Sequence, residues 1–357
     1  MAETKKIAVI GGDGIGPEVT REASLLLEWY LAERGLPLEL WQLDLGAERY
    51  LRDGTTFPKE IRDAIERECA AVLLGALGDP RVPGLEHARD ILFGMRFGFD
   101  LYANVRPVKA LSDRLVPLKA RGRKDVDFVV FRENTEGIYA GLGGQFKRGT
   151  ADEVAINEDI NTRKGVERII RAAFEHARKT GKKRVHMADK SNAMRHAHEL
   201  WLRVFDEVKR DYPELDAKHL YIDAMCLLVV QDPSQFEVVV TNNLFGDIVT
   251  DLGAGLQGGL GMAASANIHP ADPGRVALFE PVHGSAPPLA GKDVANPMAA
   301  LLTVGMMLSH LGFAGEEARI ERAVGEAIEA GECTRDVGGE LGTRAAGAAV
   351  RARLAGA

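Results

Sequence analysis

The sequence has few cysteines and no apolar segment long enough to cross a bilayer. Its three cysteines, Cys69, Cys226 and Cys333, lie far apart, and such spacing fits neither a disulfide framework nor a zinc site. The N-terminal stretch MAETKKIAV lacks the apolar core of a signal peptide. The most apolar later run, PMAALLTVGMML, falls short of the roughly 20 residues that a membrane-spanning helix needs. We therefore expect a soluble, cytoplasmic protein with no membrane partner.

Acidic residues outnumber basic ones, with 52 Asp and Glu against 45 Lys and Arg. The 357 residues carry a formal net charge of −7, which argues against general electrostatic binding of nucleic acid or of anionic membranes. Hydrophobic residues make up 46% and charged residues 27% of the chain, as in an ordinary globular protein. The length allows one large domain or two, with a substantial core.

The N-terminal stretch AVIGGDGIGPEV resembles a dinucleotide-binding turn but lacks one of its glycines. A Rossmann turn needs the pattern G-x-G-x-x-G. Gly12 and Gly14 supply the first two positions, but Pro17 stands at the third. Proline is favoured in the first turn of a helix, so we expect a tight strand-to-helix turn. The phosphates of any nicotinamide cofactor are expected to bind elsewhere.

Strand-like and helix-like patterns alternate along most of the chain, which predicts an α/β fold with a largely parallel sheet. Examples are the strand KKIAVI with a helix from Pro17 to about Arg34, the strand VDFVVF with a helix over 163–180, and the strand RVHMA with a helix over 196–210. The segment 141–161 breaks this alternation. Its glycines and short alternating stretches are typical of a β-hairpin arm or of a long surface loop.

Three aspartates are candidate metal ligands. Asp247 and Asp251 lie four residues apart in NLFGDIVTDL and would share one face of a helix. Carboxylates suit Mg²⁺ or Mn²⁺, although acids near a helix N-terminus are also favoured without any metal. Asp223, at the end of the predicted strand HLYIDA, is a possible third ligand.

Three arginines, a tyrosine and a lysine are candidate substrate-binding or catalytic residues. Arg96, Arg106 and Arg132 stand at the ends of predicted elements, where a guanidinium could hold a carboxylate with two hydrogen bonds. Each could equally form a surface ion pair. Tyr139 could donate a proton or simply pack. Lys190, after a buried-looking strand, could act as a base if it were desolvated, or extend its charge to solvent.

Seven motifs follow one another along the chain: GDGIGPEV, DLYANVRP, FRENTEGIYAG, ADKSNAM, YIDAM, TNNLFGDIVTDL and FEPVHGSAPPLAGKDVANP. In this order they resemble the isocitrate/isopropylmalate family of metal-dependent β-decarboxylating dehydrogenases, from Lys6 to at least Gly339. The resemblance implies a two-domain fold with a central mixed, largely parallel sheet that is not a Rossmann fold. The first domain would combine residues 1–103 with 262–357, and the second would span 104–261. The resemblance also implies a homodimer in which the arm at about 141–161 crosses between subunits.

The same resemblance implies roles for the candidate residues. Arg96, Arg106 and Arg132 would hold the carboxylates of a small 2-hydroxy dicarboxylate, while Asp247 and Asp251 bind Mg²⁺ or Mn²⁺. Lys190 would be the general base, and Tyr139, coupled to it, would protonate the enolate that follows loss of CO₂. Lys190 and Asp223 would enter the partner subunit's site, where Asp223 contacts metal and substrate. NAD would be held by the following residues: His283, Gly284, Ser285, Ala286, Pro287 and Asn296.

Two regions of the sequence bear on specificity, one for the cofactor and one for the substrate. NAD-dependent members of the family carry an aspartate where this chain has Pro288. We still expect NAD to be preferred, but with weak discrimination or unusually weak binding. Asp293 is a candidate to compensate from across the loop. Leu92 and Phe93 would form an apolar wall for an isopropyl group, with Arg89 facing solvent.

The resemblance implies oxidation and decarboxylation of 3-isopropylmalate to 4-methyl-2-oxopentanoate, a leucine precursor, with reduction of NAD. The alternatives are a family member acting on homoisocitrate or on tartrate and malate, and a catalytically silent regulatory subunit.

Overall fold

The computed structural model describes residues 4–356. The strands in this range are β1 Lys5–Ile10, β2 Leu38–Leu43, β3 Ala71–Leu74, β4 Ala103–Lys109, β5 Asp127–Glu133, β6 Gly143–Phe146, β7 Val154–Asn157, β8 Arg184–Asp189, β9 Asp216–Tyr221, β10 Val238–Thr241, β11 Ala264–Ile268 and β12 Ala277–Pro281. The helices are α1 Gly16–Arg34, α2 Ala47–Asp53, α3 Lys59–Glu68, α4 Glu86–Gly98, α5 Arg163–Thr180, α6 Arg195–Val208, α7 Ile222–Gln231, α8 Asn243–Leu256, α9 Met298–His310, α10 Glu316–Glu329 and α11 Thr343–Ala355.

The described chain divides into two compact units. The first contains the chain up to Leu101, Pro107–Val126 and the chain from Ala254 onward; the second contains Tyr102–Arg106 and Asp127–Gly253. These units differ from the predicted domains at 107–126 and 254–261, which the prediction places in the second domain, and at 102–103, which it places in the first. Lys109 joins the segment 107–126 to the first unit, since its Nζ donates to Glu321 at 2.6 Å. The predicted domains, 1–103 plus 262–357 and 104–261, stay a prediction.

The first unit contains strands in the order β2-β1-β3-β12-β11. β1 pairs in parallel with β2 and β3, β12 pairs in parallel with β3, and β11 pairs antiparallel with β12. All four residues of β3, AVLL, are buried, as expected for a parallel strand covered on both faces. Its side chains join those of α4 in one core that includes Ile91, Met95 and Phe99.

The second unit contains strands in the order β5-β10-β8-β9, all paired in parallel. Helix α5 covers this sheet with an apolar face that includes Val166, Ile169, Ile170 and Phe174, the spacing of an amphipathic helix. The Thr162 side chain caps this helix by accepting the N–H of Gly165. The 141–161 segment is an antiparallel hairpin of β6 and β7, so of the two possibilities it is the β-hairpin.

The N-terminal glycine-rich turn is a tight strand-to-helix turn, as predicted. Gly12 and Gly14 have φ values of +75° and +59°, a left-handed conformation that glycine adopts without strain. A Cβ on Gly12 would lie 2.1 Å from the Ala76 carbonyl oxygen, and one on Gly14 would lie 2.0 Å from that of Ser285. Both glycines are thus required by close backbone contacts within the first unit.

Candidate active site

Four of the predicted residues meet in the second unit around one carboxylate. Asp247, in the second turn of α8, accepts a hydrogen bond from Arg106 Nη1 at 3.2 Å and another from Arg132 Nη1 on the same oxygen. Its other oxygen accepts the hydroxyl hydrogen of Tyr139 at 2.9 Å. The guanidinium of Arg132 also lies 5.3 Å from the centre of the Tyr139 ring. We call these four residues the arginine–aspartate cluster.

Polar residues that the sequence analysis missed hold the two arginines in place. Arg106 Nε donates to Asn104 at 2.6 Å and Arg106 Nη1 donates to Thr250 at 2.7 Å. Arg132 Nε donates to Asn243 at 2.9 Å. These contacts allow both arginines to be buried, because their donors are satisfied by fixed oxygens.

Gly246 allows α8 to approach Arg132 closely, because a Cβ at that position would lie 2.6 Å from Arg132 Cγ. Asn104, Asn243 and Gly246 all stand inside the motifs NVRP and TNNLFGD. These three residues lie next to candidate residues in the sequence, and this proximity is the signal that could identify them as part of the site.

The electrostatics of α8 suit a bound cation. Asp251 lies one turn after Asp247 and is exposed. Partial desolvation and then the charge of Asp247 raise the pKa of Asp251, because a second carboxylate nearby disfavours its ionised form. Among residues 4–356, none donates a hydrogen bond to Asp251. Arg106 and Arg132 act in the opposite direction and lower the pKa of Asp251. Two acidic side chains one turn apart, one of them accepting no hydrogen bond from the described residues, fit a hard divalent cation.

Lys190 and Asp223 pair with each other, apart from that cluster. Lys190 Nζ lies 2.8 Å from Asp223 Oδ2, and this hydrogen bond lowers the pKa of Asp223. Asp223 stands in the first turn of α7, which corrects the prediction that it ends a strand, since the helix begins directly after β9. Within the described residues, no three acidic, histidine or cysteine side chains lie close enough to hold a metal. One chain therefore does not bring Asp223 to Asp247 and Asp251.

The predicted coupling of Tyr139 to Lys190 is likewise not formed within one chain. Tyr139 donates to Asp247 instead. Burial and then the neighbouring charge of Asp247 raise the pKa of Tyr139. Its hydroxyl therefore holds its proton at neutral pH.

The first unit positions Arg96 on α4. Arg96 is 6% exposed, and its Nη2 donates to Glu280 at 2.7 Å, while Asn267 donates to the same Glu280 oxygen at 3.0 Å. Arg96 Nε is buried and has no hydrogen-bond partner in the described residues. Buried donors in native proteins are normally satisfied, so Arg96 fits a residue that binds a ligand.

Of the two residues predicted to form the apolar wall, Phe93 lines a cavity and Leu92 does not. Phe93 and Arg89 line the same cavity of about 760 Å³, together with Phe57, Arg62, Glu86, Asp90, Gly94, Phe97 and Gly98. Because α4 runs without a break from Glu86 to Gly98, Arg89 lies one turn before Phe93 on the same face. Arg89 is exposed, as expected, and it also lines the cavity that Phe93 lines. Leu92 packs partly buried against the core and does not line this cavity.

The predicted cofactor loop lies against the N-terminal glycine-rich turn. The backbone N–H of Ile15 donates to the Ser285 carbonyl at 2.8 Å, and the Ser285 hydroxyl donates to the Gly78 carbonyl at 2.5 Å. Burial lowers the pKa of His283, so its imidazole is neutral. His283 Nε2 is buried and has no partner in the described residues. A neutral ring nitrogen left free in this loop fits a contact with a polar ligand.

Asn296 and Asp293 are both engaged by the protein itself. The Asn296 amide nitrogen donates to Asp336 at 2.9 Å, and its oxygen accepts the Met298 N–H at 2.9 Å. Asp293 accepts the backbone N–H of Arg344 at 3.1 Å and its Nε at 3.4 Å. Asp293 thus caps the start of α11, so its carboxylate is not free to replace the acidic residue missing at Pro288.

Comparison with known proteins defines the class. A family model described as isocitrate/isopropylmalate dehydrogenase matches residues 6–350, and the chain belongs to this family. The predicted family and the predicted fold class, a mixed and largely parallel α/β fold, are thereby confirmed. Among the described helices, none has the length and apolar character needed to cross a membrane.

Individual proteins similar to this chain include 3-isopropylmalate dehydrogenases and an isocitrate dehydrogenase. The chain is 44% identical over 328 residues to a 3-isopropylmalate dehydrogenase of Thermobifida fusca, covering 92% of each chain. It is 46% identical to a 3-isopropylmalate dehydrogenase of Bifidobacterium longum, covering 92% of this chain and 94% of that protein. Among solved structures, an isocitrate dehydrogenase from Methylococcus capsulatus is similar with a TM-score of 0.89 and 37% identity, covering 98% of this chain and 99% of the other.

Proposed function

We propose that the protein catalyses the oxidative decarboxylation of 3-isopropylmalate to 4-methyl-2-oxopentanoate with reduction of NAD, in leucine biosynthesis in the cytoplasm. The observation that carries this proposal is the arginine–aspartate cluster, in which Arg106 and Arg132 converge on Asp247 beside Tyr139. Two buried guanidinium groups next to a pair of carboxylates suit a ligand that is both a dicarboxylate and a metal chelator. The names of the relatives given above support this substrate.

The arginines bind and orient the substrate. Arg106 and Arg132 each have a fixed Nε contact, with Asn104 and Asn243 respectively, so the planes of both guanidinium groups are set before the substrate arrives. Arg96 contributes a buried, unsatisfied Nε. Preorganised donors lower the entropic cost of holding the reacting carbon in place.

Asp247 and Asp251, with the partner's Asp223, would hold Mg²⁺ or Mn²⁺, which when bound supplies a Lewis acid for the substrate oxygens. Asp247 is already bonded to two arginines, and Asp251 provides an exposed carboxylate with a raised pKa. His283 and the loop residues that follow it would hold NAD, which would supply the hydride acceptor for oxidation at C2.

Lys190 and Tyr139 move protons. Lys190 takes the proton of the C2 hydroxyl. Tyr139 keeps its hydroxyl proton at neutral pH because burial and Asp247 raise its pKa. It therefore serves as the donor that protonates C3 after CO₂ has left.

We infer that the protein works as a homodimer with shared active sites. The helices that carry Asp223 and Asp251 expose large apolar side chains: Leu227 is 57% exposed on α7 and Ile248 is 52% exposed on α8. Phe146 on the arm is 67% exposed. Such exposed apolar side chains, on three elements of the second unit, favour burial against a partner. A second copy would supply Lys190 and Asp223, which one chain keeps apart from Asp247.

A homoisocitrate-type substrate is the second candidate, because Arg89 is a cation that lines the same cavity as Phe93. A tartrate or malate substrate has no such observation in its favour. A catalytically silent subunit would not need the arginine–aspartate cluster together with Lys190.

The experiment measures formation of reduced nicotinamide with 3-isopropylmalate, homoisocitrate, isocitrate, tartrate and malate. Each substrate is tested with NAD and with NADP, and with Mg²⁺, Mn²⁺ or a chelator. We expect 3-isopropylmalate with NAD and a divalent metal to give the highest kcat/KM. No turnover of any substrate would overturn the enzymatic assignment.

A further inference from the structure

His198 lies directly beneath the loop that carries Lys190. It is in the first turn of α6 and is fully buried. Its Nδ1 accepts the backbone N–H of Lys190 at 2.8 Å. The Lys190 carbonyl in turn accepts the N–H of Met194 at 2.8 Å. The Lys190 carbonyl also accepts the N–H of Ala193 at 2.9 Å, so the short loop between β8 and α6 is held around Lys190 by one histidine side chain and two backbone hydrogen bonds.

The hydrogen bond from the Lys190 backbone N–H determines the tautomer of the His198 imidazole. Because Nδ1 is an acceptor, the hydrogen of the neutral imidazole is on Nε2. Nε2 lies 3.6 Å from Asp159 Oδ2 and 3.2 Å from the Asn242 amide nitrogen. The Asn242 oxygen is used by the N–H of Phe245 at 2.9 Å, so the amide cannot be turned over to accept from the ring. The Asp159 carboxylate faces Nε2 at a separation longer than an ordinary hydrogen bond.

Asp159 belongs to the base of the β6–β7 arm. It follows β7 and accepts the side-chain amide of Asn161 at 2.9 Å. The Asn161 oxygen accepts the indole N–H of the buried Trp201 on α6 at 2.7 Å. The same segment pairs with the chain before Tyr139, since the N–H of Gly137 donates to the Ile160 carbonyl at 2.7 Å. His198 therefore contacts a segment that fixes both the arm and the approach to Tyr139.

Asn242 belongs to the start of α8. Its side-chain oxygen caps this helix through Phe245, and its carbonyl accepts the N–H of Gly246 at 2.9 Å. The His198 ring also packs edge-on against the Phe245 ring, with centroids 5.3 Å apart. The residue that follows Gly246 is Asp247, the centre of the arginine–aspartate cluster. His198 thus touches the loop of Lys190, the start of α8 and the base of the arm.

We propose that His198 is a positioning residue for the reaction: it sets the place of Lys190 relative to the elements that carry Tyr139 and Asp247, and it ties all three to the base of the arm. The inference rests on the proposed function, since it assumes that Lys190 is the base. His198 touches no substrate atom in this role and acts through the Lys190 backbone. A displacement of about 1 Å in a reacting group can cost on the order of 100-fold in rate.

The test replaces His198 with residues that keep a polar atom near Nδ1, near Nε2 or near neither position. His198→Phe keeps the aromatic packing on Phe245 and removes both nitrogens. His198→Asn keeps an acceptor near the position of Nδ1, whereas His198→Gln keeps only a polar group near Nε2. His196→Phe is the matched control, because His196 is exposed on the same helix turn.

We expect His198→Phe to lower kcat for 3-isopropylmalate oxidation by about tenfold or more, with little change in KM, because the arginines that hold the carboxylates do not contact His198. His198→Asn should recover most of the lost kcat, and His198→Gln should recover little. His196→Phe should match the wild type. Unchanged kcat in His198→Phe, or equal losses in the Asn and Gln variants, would overturn the proposal. If the Phe variant fails to fold, the Asn and Gln variants still give this comparison.

A second measurement does not depend on activity. Amide hydrogen exchange of the peptide that contains Lys190 should be faster in His198→Phe and His198→Gln than in the wild type, and close to wild type in His198→Asn. Equal exchange in all variants would show that His198 does not hold the Lys190 N–H. If the wild type did not oxidise 3-isopropylmalate, the proposed function would fail, while this exchange comparison would still decide whether His198 positions Lys190.

Discussion

Lys190 and Asp223 form an ion pair at 2.8 Å within one chain, although both are expected to act at a site whose remaining residues surround Asp247. Asp223 is 64% exposed and Lys190 is 27% exposed, so both charges stay accessible to a second molecule. An exposed ion pair contributes little to stability. Its placement is better explained by a role at the surface, where a second subunit would meet it.

The shared site predicts complementation between two inactive variants. Lys190→Met and Asp251→Asn should each be inactive as homodimers. In a mixed dimer, one site combines the intact Asp251 of one subunit with the intact Lys190 of the other. Denaturing and refolding an equal mixture should therefore restore about a quarter of wild-type activity, since random pairing makes about half of the dimers mixed, each with one good site. Sites contained within single chains would give no recovery in the same mixing experiment.

Lys190 and Tyr139 should differ in the step that they affect. Lys190→Met is expected to abolish hydride transfer, because no base remains to take the hydroxyl proton. Tyr139→Phe should impair mainly the protonation after loss of CO₂ and leave part of the oxidation. The two half-reactions are followed separately, with the 2-oxo intermediate supplied for the second. Equal loss of both half-reactions in both variants would contradict these roles.

Asp251 should destabilise the metal-free protein at neutral pH. Its pKa is raised in the folded state, so folding favours the protonated form, and that contribution is lost as the pH rises from the ordinary aspartate pKa of about 3.9 through the raised value. In the presence of a chelator, Asp251→Asn should therefore have a higher Tm than the wild type at neutral pH, and the difference should shrink at acid pH. Added Mg²⁺ should raise the Tm of the wild type but not of the variant. Thermal unfolding at several pH values checks both expectations.

The sequence predicted the order of strands and helices well, because hydrophobic periodicity is a local signal. It also selects Arg106, Arg132, Tyr139 and Asp247, which contact one another in the structure. It did not predict that Asn104 and Asn243 would orient the arginines, since such contacts join residues far apart in the chain. Asp223 was placed on a strand because the helix that contains it begins without a break after β9. Leu92 and Phe93 are neighbours in sequence, but the rotation of about 100° per residue in a helix sends them to different surroundings.

Cofactor preference should depend on position 288. The loop lacks an acidic side chain at Pro288, and Asp293 is held by Arg344, so we expect NAD to be preferred over NADP with weak discrimination. Pro288→Asp should strengthen the preference by accepting hydrogen bonds from the ribose hydroxyls. The measurement is kcat/KM for each cofactor at saturating substrate. A wild-type value for NADP above that for NAD would overturn the prediction.

The cavity beside α4 should determine which variable group of the substrate the protein accepts. Phe93 stacks on Phe97 with ring centroids 5.4 Å apart, and this apolar surface suits an isopropyl group, for which burial of each methyl contributes about 0.8 kcal/mol. An added carboxylate there would lose hydration unless Arg89 paired with it. We expect 3-isopropylmalate to exceed homoisocitrate, isocitrate and tartrate by about tenfold in kcat/KM, a difference of about 1.4 kcal/mol.

Two substitutions separate the contributions of Phe93 and Arg89. Phe93→Arg should shift preference towards the tricarboxylic substrates, because it replaces apolar surface with a second cation. Arg89→Leu should leave 3-isopropylmalate turnover close to wild type and lower any residual turnover of homoisocitrate, because the cation nearest to Phe93 on that helix face is removed. Competition assays with paired substrates give the ratios directly. A wild type that prefers homoisocitrate, and loses that preference in Arg89→Leu, would show that Arg89 rather than Phe93 determines the substrate.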